Sequence, residues 1–347
     1  MAAPRKKLQV GLICGGRSGE HDVSLVSARA VAQNLDRSKY RVHPILITRQ
    51  GEWRVAGKPL RSVWMTLDRL DVVLPILHGP YGEDGTIQGL LEMIGVAYAG
   101  AGVLGSAVAM DKELTKRVWL QAGLPVAPFL RVDRHEWQAA PRQVAAHIEK
   151  MLDYPLFIKP ANMGSSVGIS KVKRRNQLGA AIALALAYDT KLIIEQGLDA
   201  RELECSVLGN HHPQASAPGE VLPGREFYDY AAKYADTASH TLIPAPLPAR
   251  VARRLGELAV AAFAAIECQG LARVDFFLER RTGKLYLNEI NTMPGFTSIS
   301  MYPKLWEAAG MPFPALLDRI IDLARERAAE RRTLGHPKNE KRVAISV

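Results

Sequence analysis

In the segment "RVDFFLERRTGKLYLNEINTMPGFTS", two apolar runs of strand length are joined by a polar, glycine-containing turn. Arg273 and Asp275 stand two residues apart on the first run, and Glu289 and Asn291 stand two apart on the second. Side chains alternate across a strand, so each pair points to one face. A register that sets Asp275 opposite Glu289 also sets Arg273 opposite Asn291 and puts all four groups on one face. A slip of one residue would split them. Two carboxylates and an amide oxygen are hard ligands that suit Mg²⁺ held together with phosphates. The bland alternative is a solvated hairpin with a surface ion pair. Against it, Phe276, Phe277, Leu285 and Leu287 flank the acids, and buried carboxylates are costly unless a cation or hydrogen bonds compensate them.

The same pattern reading organises the rest of the chain. "LQVGLICGG" reads as a buried strand and glycine turn, and "EHDVSLVSARAVAQNL" follows with helical spacing. "YRVHPILIT" and "DVVLPILHG" are further strands and "TIQGLLEMIG" a helix. Residues 1–110 are therefore expected to form a doubly wound α/β domain with a parallel sheet. A helix "DKELTKRVWLQAG" follows, stopped by Gly123 and Pro125. "PLFIKP" and "GISKVK" then form a hairpin around "ANMGSS", and "KLIIEQ" and "RELECSVLG" read as another strand pair. From about 215 to 247 the chain is rich in Pro, Gly and Ala without a period, which marks a functional loop or linker. A helix over 248–267, the hairpin over 271–291 and helices to about 330 complete the pattern.

Composition excludes several classes. Of 347 residues, 48% are hydrophobic and 23% charged, the balance of a packed globular fold. No apolar run approaches the ~18 residues of a bilayer span. Arg5, Lys6 and Lys7 lead straight into a strand with no cleavage site, so a cytoplasmic location is expected. The net charge of +10 is concentrated at the two ends, in Arg5 to Lys7 and beyond Arg325, which favours solvated termini over a nucleic-acid footprint. Cys14, Cys205 and Cys268 are widely spaced and fit reduced, packed thiols rather than a zinc or redox site.

The loop "NMGSSVGIS" places Gly164 and Gly168 around the hydroxyls of Ser165 and Ser166, where backbone N–H groups can approach phosphate oxygens. It is not a Walker loop, because no Lys-Ser/Thr pair follows the second glycine. A flap over a nucleotide fits better. On its own, a Gly/Ser hairpin turn would be the commoner explanation. Lys159 and Lys112 could neutralise phosphate charge, a reading that rests on their neighbours, since an isolated lysine is usually solvated. The first glycine turn, "GGRSG", suggests a dinucleotide-binding oxidoreductase, but the G-x-G-x-x-G spacing is absent between residues 11 and 20. Hydride transfer would also leave Asp275, Glu289 and Asn291 without a use. A non-catalytic ATP-binding regulator would be excluded by ADP release that depends on an amino-acid substrate.

The series "GGRSGEHDVSL", "LHGPYGEDGTIQG", "MDKELTK", "IKPANMGSSVG", "IEQGLDARELECSVLGN", "FYDYAAKY", "RVDFFL" and "NEINTMPGFTSISMYPKLW" resembles, in order and spacing, the D-alanine-D-alanine ligases of the ATP-grasp superfamily. The resemblance covers about residues 8–327. It implies a mixed α/β and α+β architecture, an ATP-grasp fold behind the N-terminal doubly wound parallel-sheet domain. The parts would be residues 1–110, a central ATP-grasp subdomain over 111–205, a C-terminal one over 206–327 with a lid near 220–245, and a basic tail over 328–347. It further implies ATP with Mg²⁺, for which Mn²⁺ can substitute. Two D-alanine molecules would be the substrates and a homodimer the assembly, with no nucleic-acid or membrane partner. The setting would be cytoplasmic synthesis of peptidoglycan precursors.

Carried over by motif, the resemblance implies that Lys112 and Lys159 contact the ATP phosphates, with Ser166 and Lys233 also at the nucleotide. Glu195 would meet the adenine amino group or its surroundings and Glu202 the ribose, while Gln196 and Gly197 replace a basic residue and an aromatic found in some relatives. Asp275, Glu289 and Asn291 would be the metal ligands. Glu20 would hold the ammonium of the first D-alanine; as a plain structural residue it would favour a helix N-terminus. His78 would face the same substrate, although a lone loop histidine is more often structural. Glu83 and Asp84 read as turn and network residues. Ser165 and Tyr234 would link Glu20 to the closing loop, and Lys233 and Ser300 would lie near the second substrate's carboxylate. Arg273 and the Gly295 N–H would stabilise an oxyanion. The implied reaction forms a D-alanyl phosphate and then the dipeptide, with water excluded by the lid. Tyr234, rather than the histidine common in ester-forming relatives, implies D-alanyl-D-alanine and not a D-lactate ester.

Overall fold

The computed structural model describes residues 6–222 and 240–334. Lys233, Tyr234, most of the expected lid and the end of the basic tail lie outside the described residues. The chain builds three sheets in sequence order.

The first comprises β1 (Leu8–Gly15), β2 (Tyr40–Ile47), β3 (Trp53–Val55), β4 (Lys58–Pro59) and β5 (Val72–Pro75), in the order β4-β3-β2-β1-β5. Strand β1 runs parallel to β2 and β5, as the buried apolar runs predicted; the β3–β4 edge is antiparallel and was not read from the sequence. The associated helices are α1 (His21–Asn34), α2 (Val63–Leu67), α3 (Thr86–Ile94) and α4 (Val103–Met110). A parallel sheet must be covered on both faces. Here Ile13, Ile45 and Val73 pack with Ile87 and Leu91 of α3 on one face. On the other, Val10, Leu12 and Leu74 pack with Val31 of α1 and with Leu317, Ile320 and Ile321. Those last three belong to the terminal helix Phe313–Thr333, which returns to close the first sheet. Arg327 of that helix is buried, donates to the carbonyls of Tyr98 (2.9 Å) and Gly100, and lies over the Tyr98 ring.

Helix α5 (Lys112–Gln121) leads to the second sheet, made of β6 (Phe129–Asp133), β7 (Leu156–Pro160), β8 (Ser170–Val172) and β9 (Lys191–Gln196) in the antiparallel order β6-β9-β7-β8. Helices α6 (Arg134–Ala139), α7 (Pro141–Met151) and α8 (Leu178–Leu186) accompany it. Ile148, Leu178 and Ile182 pack against Ile158, Leu192 and Ile194 and bury one face, which leaves the other free to line a cleft.

The third sheet contains β10 (Ala200–Gly209), β11 (Gln214–Ala215), β12 (Gly219–Leu222), β13 (His240–Leu242), β14 (Gly270–Glu279) and β15 (Leu285–Asn291). Its order is β13-β12-β10-β14-β15, with β11 paired to β10. Helix Ala249–Ala265 covers its back through Leu255, Leu258 and Phe263, which pack with Val207 and Val274. Two sequence expectations are corrected here. "KLIIEQ" and "RELECSVLG" are both strands but do not pair: β9 belongs to the second sheet and β10 to the third. The stretch near 215–247 is also less irregular than its composition suggested, since β11, β12 and β13 are recruited by pairing to β10 or to each other. The chain passes from the second sheet to the third between Gln196, the end of β9, and Ala200, the start of β10. No described helix is long and apolar enough to cross a membrane.

Candidate active site

The hairpin β14–β15 has the register that puts the acids together. Asp275 faces Glu289 and Arg273 faces Asn291, with a bulge immediately after Asp275. Strand β10 adds Glu204 opposite Asp275 on its other side, so three carboxylates form a row across three strands. The Arg273 guanidinium offsets this charge. Its Nε and Nη2 donate to the two oxygens of Asp275 at 2.7 Å each, and Nε is 3.0 Å from Glu204 Oε2. The Asn291 amide nitrogen donates to Asp275 at 3.2 Å, which leaves its oxygen as an acceptor. Among the described residues there is no group of three His, Cys, Asp or Glu arranged to hold a metal by themselves. Asp275, Glu289 and the Asn291 amide could together supply oxygen donors of the kind that suit a Mg²⁺ ion completed by phosphate oxygens and water.

A cavity of about 450 Å³ lies between the second and third sheets. Phe157, Leu198 and Phe277 give it apolar walls, and Lys159, Glu202 and Ser166 line it as well. A smaller cavity of about 80 Å³ is lined by Glu20, His78, Glu83, Arg273, Asn291 and Gly295. Lys112, Gly164, Ser165 and Glu289 line both, so the two spaces meet at those residues.

On the side of the larger cavity, Lys112 begins α5, donates from Nζ to the Met163 carbonyl at 2.6 Å and lies 3.6 Å from Glu289 Oε2. Lys159 is buried and donates to Glu195 Oε2 at 2.6 Å, while Lys116 Nζ is 3.1 Å from Glu195 Oε1. Burial alone would raise the Glu195 pKa, but Lys116 and then Lys159 outweigh it and hold the carboxylate well below its usual range. Both oxygens of Glu195 thus face ammonium groups. The flap between β7 and β8 keeps Ser165 and Ser166 at φ of 51° and 59°, a left-handed turn that two non-glycine residues adopt in succession.

On the other side, Glu20 precedes α1 at its N-cap position, yet its side chain makes no capping hydrogen bond. It turns instead to Ser165, whose hydroxyl donates to Glu20 Oε1 and links the first sheet's loops to the flap. Gly79 (φ 71°) makes room, since a Cβ there would sit 2.6 Å from Glu20 Oε2. His78 is buried between Met293 O (2.9 Å from Nδ1) and Ser27 Oγ (3.0 Å from Nε2), a pattern that fits a neutral ring with its proton on Nδ1. Burial pushes its pKa down, and the Glu20 charge opposes this only partly. Glu83 accepts from the Gly79 and Met293 N–H groups at 2.6 and 3.1 Å. Burial, reinforced by Glu20, pushes its pKa up to about 8. Asp84 caps the turn through the N–H groups of Tyr81 and Thr86. Ser300 precedes helix Met301–Ala308 and bonds to Thr297. It does not line the small cavity but abuts Gly295, which does.

Two residues at this site were not singled out in the sequence. Lys116 stands one helical turn beyond Lys112 in "MDKELTK", and Glu204 two residues beyond Glu202 on β10, so spacing carried a signal for both. Glu83 was assigned to the turn network, which its hydrogen bonds match; its raised pKa depends on burial that spacing cannot show.

Two antiparallel sheets closed over a cleft, with lysines and paired acids inside it, have the architecture of the ATP-grasp ligases. The family models for the D-ala D-ala ligase N-terminus and C-terminus match residues 9–65 with 56–101, and 118–322. A D-alanine--D-alanine ligase of Chloroherpeton thalassium is 47% identical over 360 residues, covering 94% of this chain and 98% of that one. Another, from Solibacter usitatus, is 51% identical over 321 residues, covering 92% and 96%. Among solved structures, the D-alanine-D-alanine ligase from Coxiella burnetii superposes with a TM-score of 0.82 at 36% identity, covering 94% of this chain and 97% of that one. The VanG D-Ala:D-Ser ligase from Enterococcus faecalis gives 0.83 at 36%, covering 92% and 100%. The chain belongs to the D-alanine-D-alanine ligase family. It is an ATP-using ligase that acts on small molecules.

Proposed function

We propose that this enzyme joins two molecules of D-alanine into D-alanyl-D-alanine, coupled to cleavage of ATP to ADP and phosphate. The observation that carries the reading is the meeting of the two cavities at Lys112, Ser165 and Glu289. A nucleotide in the larger space directs its terminal phosphoryl group to that junction, and an amino acid held by Glu20 in the smaller space brings its carboxylate there.

A carboxylate resists amine attack because oxide is a poor leaving group, so its oxygen first takes the γ-phosphoryl group. Lys112 and Lys159 offset charge on the phosphates, Ser166 lies along them, Glu202 meets the ribose, and Glu195 lies at the base while holding the lysines. Asp275, Glu289 and Asn291 are the residues that would hold Mg²⁺ or Mn²⁺, which when bound neutralises phosphate charge. The second D-alanine's amine then attacks the acyl phosphate carbonyl. The oxyanion so formed is stabilised by Arg273 and the Gly295 N–H, and phosphate leaves. Glu20 holds the first ammonium, with Ser165 fixing its carboxylate and His78 bracing the wall. Ser300, Lys233 and Tyr234 complete the acceptor side by sequence motif. The enzyme is proposed to work as a cytoplasmic homodimer supplying peptidoglycan synthesis, a reading supported by its family.

Carboxylate activation has an isotopic signature. With D-alanine labelled by heavy oxygen in its carboxylate, label should appear in inorganic phosphate as dipeptide forms. Label in AMP, or dipeptide formation without labelled phosphate, would contradict an acyl-phosphate route.

A further inference from the structure

Lys116 is among the most deeply buried charged groups, at 1% exposure, and it lines neither cavity. It stands one turn beyond Lys112 on α5, with its Nζ 3.1 Å from Glu195 Oε1 and 3.4 Å from the Leu287 carbonyl. Glu195 uses its other oxygen to hold Lys159 at 2.6 Å, and both Glu195 and Lys159 face the larger cavity. Lys159 and Glu195 alone would be a neutral pair. A neutral pair offers little to a triphosphate. Burial pushes the Lys116 pKa down and the Glu195 carboxylate opposes this; with Lys116 as an ammonium behind the pair, the unit Lys116–Glu195–Lys159 carries one net positive charge, and the carboxylate is shared between two ammonium groups.

We infer that Lys116 is a positioning residue for nucleotide binding: through Glu195 it restores the positive charge that the carboxylate would otherwise cancel, leaving the Lys159 ammonium available to phosphate oxygens. The inference rests on the reading of the larger cavity as the ATP site. Removing Lys116 alone leaves Glu195 to neutralise Lys159. Removing the charges of both Lys116 and Glu195 leaves Lys159 with its own charge intact. The single and double variants must therefore deviate from additivity in a specified direction.

The test compares Lys116→Met, Glu195→Gln and the double variant in D-alanine-dependent ADP release by the full chain. Lys116→Met is expected to raise KM for ATP about tenfold while kcat changes less than about threefold. In the Glu195→Gln background, where no carboxylate cancels Lys159, the same Lys116→Met change is expected to raise KM for ATP less than about threefold over Glu195→Gln alone. A residue that merely packs would cost as much in the Glu195→Gln background as in the wild type, and that result overturns the inference. So does an unchanged KM for ATP in Lys116→Met. If Lys116→Met does not fold, the double variant is compared with Glu195→Gln alone, and a KM for ATP about tenfold above that single variant contradicts the charge argument. Failure of the ATP-site reading itself looks different: wild-type protein would release no ADP with D-alanine, and ATP would not raise its Tm.

Discussion

Asp275 faces Glu289 directly across the β14–β15 ladder, and Glu204 faces Asp275 from the opposite strand. Like charges placed opposite one another destabilise a sheet. Arg273 offsets part of this by gripping both oxygens of Asp275, while Glu289 looks toward Lys112 at the junction of the cavities. All three carboxylates line the larger cavity, where the proposed metal would add positive charge.

Asp275→Asn and Glu289→Gln should each keep the fold and lower kcat by at least about a hundredfold, because each removes a formal charge from the proposed metal face. Circular dichroism and Tm report the fold, and ADP release reports turnover. Wild-type turnover in both variants would remove the metal assignment.

Ser165 ties Glu20 to the flap, so Ser165→Ala should loosen the carboxylate proposed to hold the first substrate's ammonium. A hydrogen bond to a charged group contributes about 1.5–3 kcal/mol, equivalent to roughly ten- to a hundredfold in kcat/KM for D-alanine. Steady-state kinetics at saturating ATP make the comparison. Unchanged kcat/KM would show that Glu20 is held without the flap.

The hairpin's chemistry was legible because strand periodicity converts spacing into facing: once Asp275 and Glu289 were paired, Arg273 and Asn291 followed. Strand β1, helix α1 and helix α5 were likewise readable from apolar runs ended by glycine or proline. Long-range pairing was not. Nothing in "KLIIEQ" and "RELECSVLG" indicates that adjacent strands enter different sheets, and nothing local in the terminal helix assigns it to the first sheet. The buried partners escaped for a related reason. Lys116 and Glu83 look like ordinary helix and turn residues until tertiary packing removes their water.

Glu83 makes stability depend on pH in a defined direction. Its pKa in the fold is about 8, against 4.5 for an ordinary glutamate. An unfolded chain therefore releases the proton earlier than the folded one. The contribution of neutral Glu83 is complete below the unfolded value and is lost progressively as pH rises toward about 8. Glu83→Gln should flatten that decline, seen as a smaller loss of unfolding free energy between pH 5 and 8 in urea titrations. Parallel profiles for variant and wild type would contradict the assignment.

Arg327 fastens the terminal helix to the carbonyls of Tyr98 and Gly100. In Arg327→Met both buried acceptors lose their donor, so a loss of about 2–4 kcal/mol of stability is expected. Equilibrium unfolding measures it. A change below about 1 kcal/mol would show that these bonds are replaced by water.

The central claim concerns which molecules are joined, and product analysis tests it most directly. Purified protein with ATP and Mg²⁺ would be offered D-alanine alone, then D-alanine in equal competition with D-serine, D-lactate or L-alanine, and products would be separated and identified by mass. The account expects D-alanyl-D-alanine as the dominant product in every mixture at neutral pH, with one ADP formed per dipeptide. A mixed dipeptide or ester in comparable yield, or ADP release without D-alanyl-D-alanine, would contradict it.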